Sequence, residues 1–194
     1  MNAPNNHSPL AAADDATLAR AACTDKQAFA ELYHRHALRV YRYVLAQTGH
    51  VQDAEDVTTQ TFMCAMRDIA SFRGQGLFAA WLLRIARHRA LDHFRSQRNP
   101  LSFDEINDDA QADANLDALD VIVGRHLQLR ELALVLSQLA PDRAEALRLR
   151  LFGDLSVAEA AQVMNKSQAA IKMLVQRGLA DLRDRLQAWA QEDE

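Results

Sequence analysis

The sequence predicts an all-α protein of two small helical domains joined by an acidic, flexible linker. Three observations carry that expectation. Apolar residues recur at three- and four-residue steps on both sides of the chain's centre, which is the spacing of one helix face. Between those halves, Asn99 to Gly124 holds Asp104, Glu105, Asp108, Asp109, Asp113, Asp117 and Asp120 and no Lys or Arg. A stretch so charged, with little periodicity before Leu116, has too little apolar surface to offset the entropy of folding. Finally, Leu155 to Lys172 carries the signals of two helices joined by a very short turn, a helix-turn-helix. The expected organisation is a disordered N-terminal segment over 1–22, a helical bundle over 23–98, the linker over 99–124, and the helix-turn-helix domain over 125–190.

Met1 to Ala22 is rich in Ala, Asn and Asp and includes Pro4 and Pro9, which points to disorder at the chain's start. Thr24-x-x-Gln27 has the form of a capping box and opens the first helix. That helix should bury Phe29, Leu32, His36, Val40 and Val44 and stop at Gly49. Asp53 to Asp56 puts acids in the first turn of a second helix, where they complement its dipole; Val57, Phe62, Ala65 and Ile69 are its buried positions. A short loop follows, Phe72-Arg73-Gly74-Gln75-Gly76. The third helix has an apolar seam at Leu77, Trp81, Ile85, Leu91 and Phe94. Its polar positions are mostly Arg, namely Arg84, Arg87, Arg89, Arg95 and Arg98, against one acid, Asp92. Guanidinium pairs with phosphate oxygens in a bidentate fork, so this face suits docking on phosphates. Spacing alone fits a solvated amphipathic helix equally well. Asn99-Pro100 ends the helix, because Pro holds its predecessor extended.

In the second domain Leu129, Leu132, Leu136 and Leu139 form a seam that Ala144, Leu147 and Leu151 continue. Pro141 fits the first turn of a helix, where its missing N–H costs nothing, and Gly153 closes that helix. Ser156 to Glu159 is a capping box for a short helix running through Val163. Asn165, in the turn Met164-Asn165-Lys166, tolerates positive φ better than most residues. Ser167 caps the final helix. There Ile171, Val175, Leu179, Leu182 and Leu186 should face inward, leaving Gln168, Lys172, Met173, Gln176 and Arg177 to solvent.

The formal net charge of the 194 residues is −4, which as a total disfavours a nucleic-acid binder. Charge is segregated, however, and the basic patch from Ser71 to Arg98 decides phosphate binding. No apolar run approaches the roughly 20 residues of a membrane span, and Asp14-Asp15 falls where a signal peptide would be apolar. The expectation is a soluble cytoplasmic protein with no membrane insertion. Cys23 and Cys64 read as reduced thiols. His34-x-His36 and His88…His93 lack the partners of a metal site. No nucleophile elbow, zinc-protease motif or phosphate-cradling glycine loop occurs. No catalytic residue, metal or cofactor is expected.

F-R-G-x-x-x-F-x-x-W-L-x-R-I-A-R-x-x-x-L-D, from Phe72 to Asp92, resembles the promoter-melting region of bacterial sigma factors of the sigma-70 family, and among them the extracytoplasmic-function (ECF) subfamily. D-A-E-D-x-T-x-x-T-F, from Asp53 to Phe62, is similar to the family's grip on the β′ clamp helices of RNA polymerase. L-S-x-x-E-x-A-x-x-x-x-x-S-x-x-x-I-K, from Leu155 to Lys172, resembles the region that reads the −35 element. The resemblance covers most of residues 25 to 187 and implies a sigma region 2 bundle followed by a region 4 helix-turn-helix. It implies polymerase binding through Asp53, Asp56, Thr59, Gln60 and Met63. For the −10 element it implies a pocket loop of Arg73, Gly74, Gln75, Gly76 and Leu77 that captures a flipped base. Trp81 fits the base of that pocket or plain core, and Arg84, Arg87 and Arg95 join as docking contacts. For the −35 element it implies Ser167, Gln168, Lys172, Met173, Gln176 and Arg177. Two departures stand out: Thr59-Gln60 replaces Gln-Glu, and Leu174 occupies a position where the family often has Arg. Implied partners are core RNA polymerase, through the β′ clamp helices and the β flap, and promoter DNA, with an anti-sigma factor as a further candidate. The linker would thread through polymerase, its carboxylates mimicking nucleic acid or merely keeping the tether extended. The rival readings are a helix-turn-helix regulator acting without polymerase and a protein-interaction module with a basic helix.

Overall fold

The computed structural model describes residues 10, 12–74, 77–98 and 132–192, and every regular element among them is helical. The expected linker, Gln75, Gly76 and Leu129 lie outside the described residues. None of the described helices is long and apolar enough to cross a membrane.

The first domain begins earlier than expected. Asp15–Ala21 forms a helix, α1, within the segment assigned to disorder. Asp14 caps it by accepting from the Thr17 backbone N–H at 2.7 Å. A helix this short is marginal by itself; burial of Leu18 and Ala19 holds it. From the next helix Arg35 donates to Ala13 O and reaches Asp15 Oδ1, at 2.7 and 3.1 Å, and His36 Nε2 lies 2.7 Å from Asp15 Oδ2.

That next helix, α2, spans Lys26–Thr48. Its N-cap is Asp25, not Thr24: the Asp25 carboxylate accepts from Gln27 N–H at 2.8 Å, the stronger choice because its acceptor is charged. Phe29, Leu32, His36, Val40 and Val44 are buried as the spacing requires, and Gly49 ends the helix at φ 71°, a conformation glycine adopts without strain. Helix α3, Val51–Asp68, starts before its acidic turn and buries Val57, Phe62 and Ala65. Ile69 is buried in a 3-10 turn, Ile69–Ser71. Helix α4, Phe78–Arg98, carries the arginines. Its buried face differs from the expected seam. Phe78, Leu82, Leu83, Ala86 and Ala90 point into the core, Trp81, Ile85, Leu91 and Phe94 flank it half-buried, and Leu77 is exposed. The alanines decide this, because small side chains let α4 approach α2 and α3 closely.

The second domain contains helical residues 132–137 (α5), then α6, Pro141–Leu151, with Pro141 in its first turn. Helix α7, Val157–Met164, has the complete capping box of Ser156 and Glu159, and Asn165 takes the left-handed turn at φ 52°. Helix α8, Gln168–Glu192, is capped by Ser167, whose Oγ accepts from Ala170 N–H at 3.1 Å. Three expected core positions are exposed: Leu151, Leu179 and Leu186. Past Val175, Gly178 and Leu182 rather than Leu179 face inward, Gly178 against Leu147 of α6.

The two domains touch, α6 against α2 and α7 against α4, and their buried residues form one continuous apolar cluster. Polar side chains cross the seam. Tyr43 O–H donates to Glu145 Oε1 at 2.7 Å, and Arg148 Nε donates to Ala46 O at 3.0 Å. That carbonyl lies in the last turn of α2, where no intrahelical donor remains.

His36 makes stability depend on pH. Burial lowers its pKa below the usual 6.5, with Arg39 and Arg35 acting in the same direction and Asp15 opposing; Nδ1 is buried without a hydrogen-bond partner among the described residues. A folded imidazole that binds its proton more weakly than the unfolded one gives full stability above 6.5 and loses it as pH falls below that value. Urea titrations from pH 7.5 to 5.5 should show a steeper loss for the parent than for His36→Gln. Equal slopes would mean that His36 does not carry the dependence.

Candidate nucleic-acid interface

Three surfaces gather the residues singled out by the sequence. On α3, Asp56, Thr59, Gln60 and Met63 are exposed, and Met66 extends the same strip. An acid, two neutral polar groups and two pliant thioethers make a mixed polar and apolar face that can adapt to a protein partner. Asp53 is not free to join them fully, since its carboxylate lies 3.2 Å from His93 Nε2 of α4.

The second surface runs from the loop before α4 along its arginines. Arg73 and Gly74 are exposed, and Gly74 sits at φ 69° with open space where a side chain would be. Leu77, 60% exposed, projects from the start of α4. Trp81 packs on Phe72 and Phe78, ring centroids 5.6 and 5.4 Å away, and remains half-buried. It therefore belongs to the core on one side and leaves the other at the surface beside the loop. Further along, Arg84 is exposed, Arg87 half-buried and Arg95 exposed. Among the described residues Arg95 pairs with Asp92, at 3.4 Å. Arg84 and Arg87 are engaged from the second domain: Arg84 donates to Gln162 O at 2.9 Å, and Arg87 Nε lies 3.2 Å from Glu145 Oε1.

The third surface is the first half of α8. Ser167, Gln168, Lys172, Met173, Gln176 and Arg177 are all exposed, and Ile171 on the opposite side is fully buried. Leu174 is half-buried and packs on the core, which accounts for an apolar residue there. The helix presents the amides of Gln168 and Gln176, which can pair bidentately with adenine, alongside the cations Lys172 and Arg177, suited to phosphate. Arg143 of α6 and Asp181 of α8 form an ion pair, and Arg185 donates to Gln138 Oε1 at 2.6 Å, so α8 is fixed in rotation by polar ties as well as by Leu147.

Sequence reasoning missed Tyr43, Glu145, Arg148 and Gln162, which bring the second domain onto the arginine surface. Glu145 and Arg148 are 6% and 8% exposed. Their only local signal is that charged residues interrupt an apolar helix, which does not distinguish a buried pair from a solvated one.

Residues 32–99 match the sigma-70 region 2 family and residues 129–182 match sigma-70 region 4. The ECF RNA polymerase sigma factor BldN of Streptomyces coelicolor is 38% identical over 84% of this chain, a match that spans 62% of BldN itself. The RNA polymerase sigma factor CarQ of Myxococcus xanthus is 31% identical, over 83% of this chain and 90% of CarQ. Among solved structures, the sigma factor RpoE of Bartonella quintana, in complex with the anti-sigma factor NepR, shares the fold. It has a TM-score of 0.62 at 22% identity, covering 82% of this chain and 96% of that one.

Proposed function

The chain belongs to the ECF group of sigma-70 family sigma factors, and from that membership we propose that it binds core RNA polymerase and directs it to promoters by reading −10 and −35 elements. The observation that carries this reading is the pairing, on one chain, of a region 2 surface with a region 4 recognition helix. Region 2 supplies exposed Arg73, Gly74 and Leu77 and a half-buried Trp81 beside a row of arginines. In the reading, the exposed strip of α3 meets the β′ clamp helices and the second domain meets the β flap. The α4 arginines hold phosphates, the loop takes a flipped base, and α8 reads the −35 major groove with Gln168 and Gln176 while Lys172 and Arg177 hold its backbone. Phosphodiester chemistry stays with polymerase, so the chain itself is not an enzyme and works in the cytoplasm. An anti-sigma factor is a fitting partner, given the complex in which the related RpoE fold was solved.

Run-off transcription with purified core enzyme and a promoter selected from random DNA tests the whole reading. Initiation should depend on the protein, and a duplex-binding regulator acting alone would give none. Within it, Asp56→Arg should weaken holoenzyme assembly with helix content unchanged, because it reverses an exposed charge on the strip that meets polymerase. Normal co-elution of that variant with core enzyme would show that the polymerase contact lies elsewhere.

A further inference from the structure

We propose that helix α1 belongs to the promoter-opening machinery, because its Asp15 orients His36 and His36 sets the aromatic cluster beside Leu77. Asp15 and His36 are then positioning residues that act through Phe78. The proposal rests on the reading of Leu77 and the Trp81 cluster as the surface that takes a flipped base.

Helix α1 lies outside the region 2 match, which begins at residue 32. It nevertheless packs on the 3-10 turn Ile69–Ser71 and on α4, the two elements on either side of the loop. Side chains carry the contact further. His36 is 5% exposed, and its ring centroid lies 5.3 Å from that of Phe78. Phe78 is buried and in turn meets Phe72 and Trp81, each at 5.4 Å. Phe72 precedes the loop and Phe78 follows it. The edge-to-face contact between them, at 89°, pins the two ends of the loop together. Leu77 is joined directly to Phe78, so a shift of that ring moves the exposed leucine as well.

An imidazole has a broad χ2 torsion and takes its orientation from packing and hydrogen bonds. Among the described residues one hydrogen bond does this. His36 Nε2 lies 2.7 Å from Asp15 Oδ2, and the buried Nδ1 has no partner. A carboxylate only accepts, so Nε2 carries the proton that faces it. Burial lowers the pKa of His36, with Arg39 and Arg35 acting the same way and Asp15 opposing. The ring is therefore neutral above 6.5, and Nδ1 needs no acceptor. Asp15 is fixed in its turn. Arg35 Nη1 lies 3.1 Å from Asp15 Oδ1 and donates to Ala13 O at 2.7 Å, and Nη2 donates to Leu10 O at 3.1 Å. A continuous set of contacts thus runs from the chain before α1 to Trp81. Removing the Asp15 carboxylate takes away the one polar anchor of the ring and leaves its packing.

The test uses the full-length chain with Trp189→Phe, which leaves Trp81 as its one tryptophan. Without polymerase, Asp15→Ala should change the near-ultraviolet circular dichroism of Trp81. Asp15→Asn keeps an acceptor and should restore it. In holoenzyme, Asp15→Ala should reduce promoter opening about 2- to 13-fold, the factor carried by one net hydrogen bond. Closed-complex binding should match the parent's, because no phosphate contact is touched, and Asp15→Asn should recover most of the opening. Equal losses of binding and opening would mark a merely structural role and overturn the proposal. Should Asp15→Ala release α1, seen as fast exchange of the Leu18 and Ala19 amides, His36→Gln carries the same comparison. It keeps a donor for Asp15 and removes the ring that rests on Phe78. An unchanged Trp81 spectrum in the folded variants overturns the coupling, whatever the protein's function. A changed spectrum with full opening overturns its part in base capture. Failure of the sigma-factor reading would appear separately, as absent initiation by the parent in run-off transcription.

Discussion

Truncating Leu147 to alanine should cost about 2–5 kcal/mol and abolish promoter-directed transcription while leaving the first domain folded. Leu147 is fully buried where α6 meets α8 at Gly178. A Cβ placed on Gly178 of α8 would come within 2.9 Å of its Cδ1. The second domain is small, so a loss of a few kcal/mol is a large share of its stability. The recognition helix takes its orientation from this contact, so the damage should extend to −35 reading. Gly178→Ala alone sets a helix-propensity gain of up to about 1 kcal/mol against a close contact with a buried side chain, and the two nearly cancel. In the Leu147→Ala background the contact is gone, so adding Gly178→Ala should recover about 1 kcal/mol. Hydrogen exchange of α6 and α8 amides beside those of α2 and α3 reads both effects. Undisturbed exchange in α8 of Leu147→Ala would show that the recognition helix is held from elsewhere.

Replacing Leu77 by alanine should impair promoter opening about 5- to 150-fold and leave closed-complex binding nearly intact. Leu77 is an exposed apolar side chain at the start of α4, next to an open loop and the accessible edge of the Trp81 cluster. Taking a base out of the stack costs a few kcal/mol, and apolar contact with a leucine side chain returns up to about 1.5–3 kcal/mol, which sets the top of the range. The arginines should behave differently. Arg84→Ala or Arg87→Ala in the holoenzyme should weaken binding to duplex and pre-melted promoters alike, each reducing the salt slope by about 0.7–0.9. Permanganate reactivity of unpaired thymines beside a binding isotherm separates the two classes, and a pre-formed bubble should partly rescue Leu77→Ala. If the leucine variant binds less tightly yet opens promoters in full proportion to what is bound, the loop is only another docking contact.

How far the fold could be read in advance depended on whether the signal was local. Capping at Ser156 and Ser167, the αL turn at Asn165, Pro141 in a first turn and the stop at Gly49 all depend on residues within one helical turn. Each appeared where the sequence placed it. The errors occur where a distant partner changes the outcome. Asp14-Asp15 and its neighbours look like a disordered start until Arg35 and His36 supply partners for Asp15 from α2. The seam of α4 shifted from Trp81 and Ile85 to Phe78, Leu82 and the alanines because close approach to two helices favours small residues. Leu179 looked buried by spacing and is not, because α8 meets α6 through Gly178.

The site divides in the same way. The sequence by itself determined the family, the order of the two regions, the all-helical class and the polar strip of α8, because these follow from residue types at fixed short spacings. Only the tertiary structure decided that Asp53 is drawn to His93, that Trp81 is both core and surface, and that Arg84 and Arg87 are held by Gln162 and Glu145. Periodicity tells which side of a helix avoids water. It carries no information about which of two polar partners, a phosphate or a carboxylate of the same chain, will meet an arginine, because both satisfy a guanidinium equally and only the path of the backbone through space brings one of them within reach.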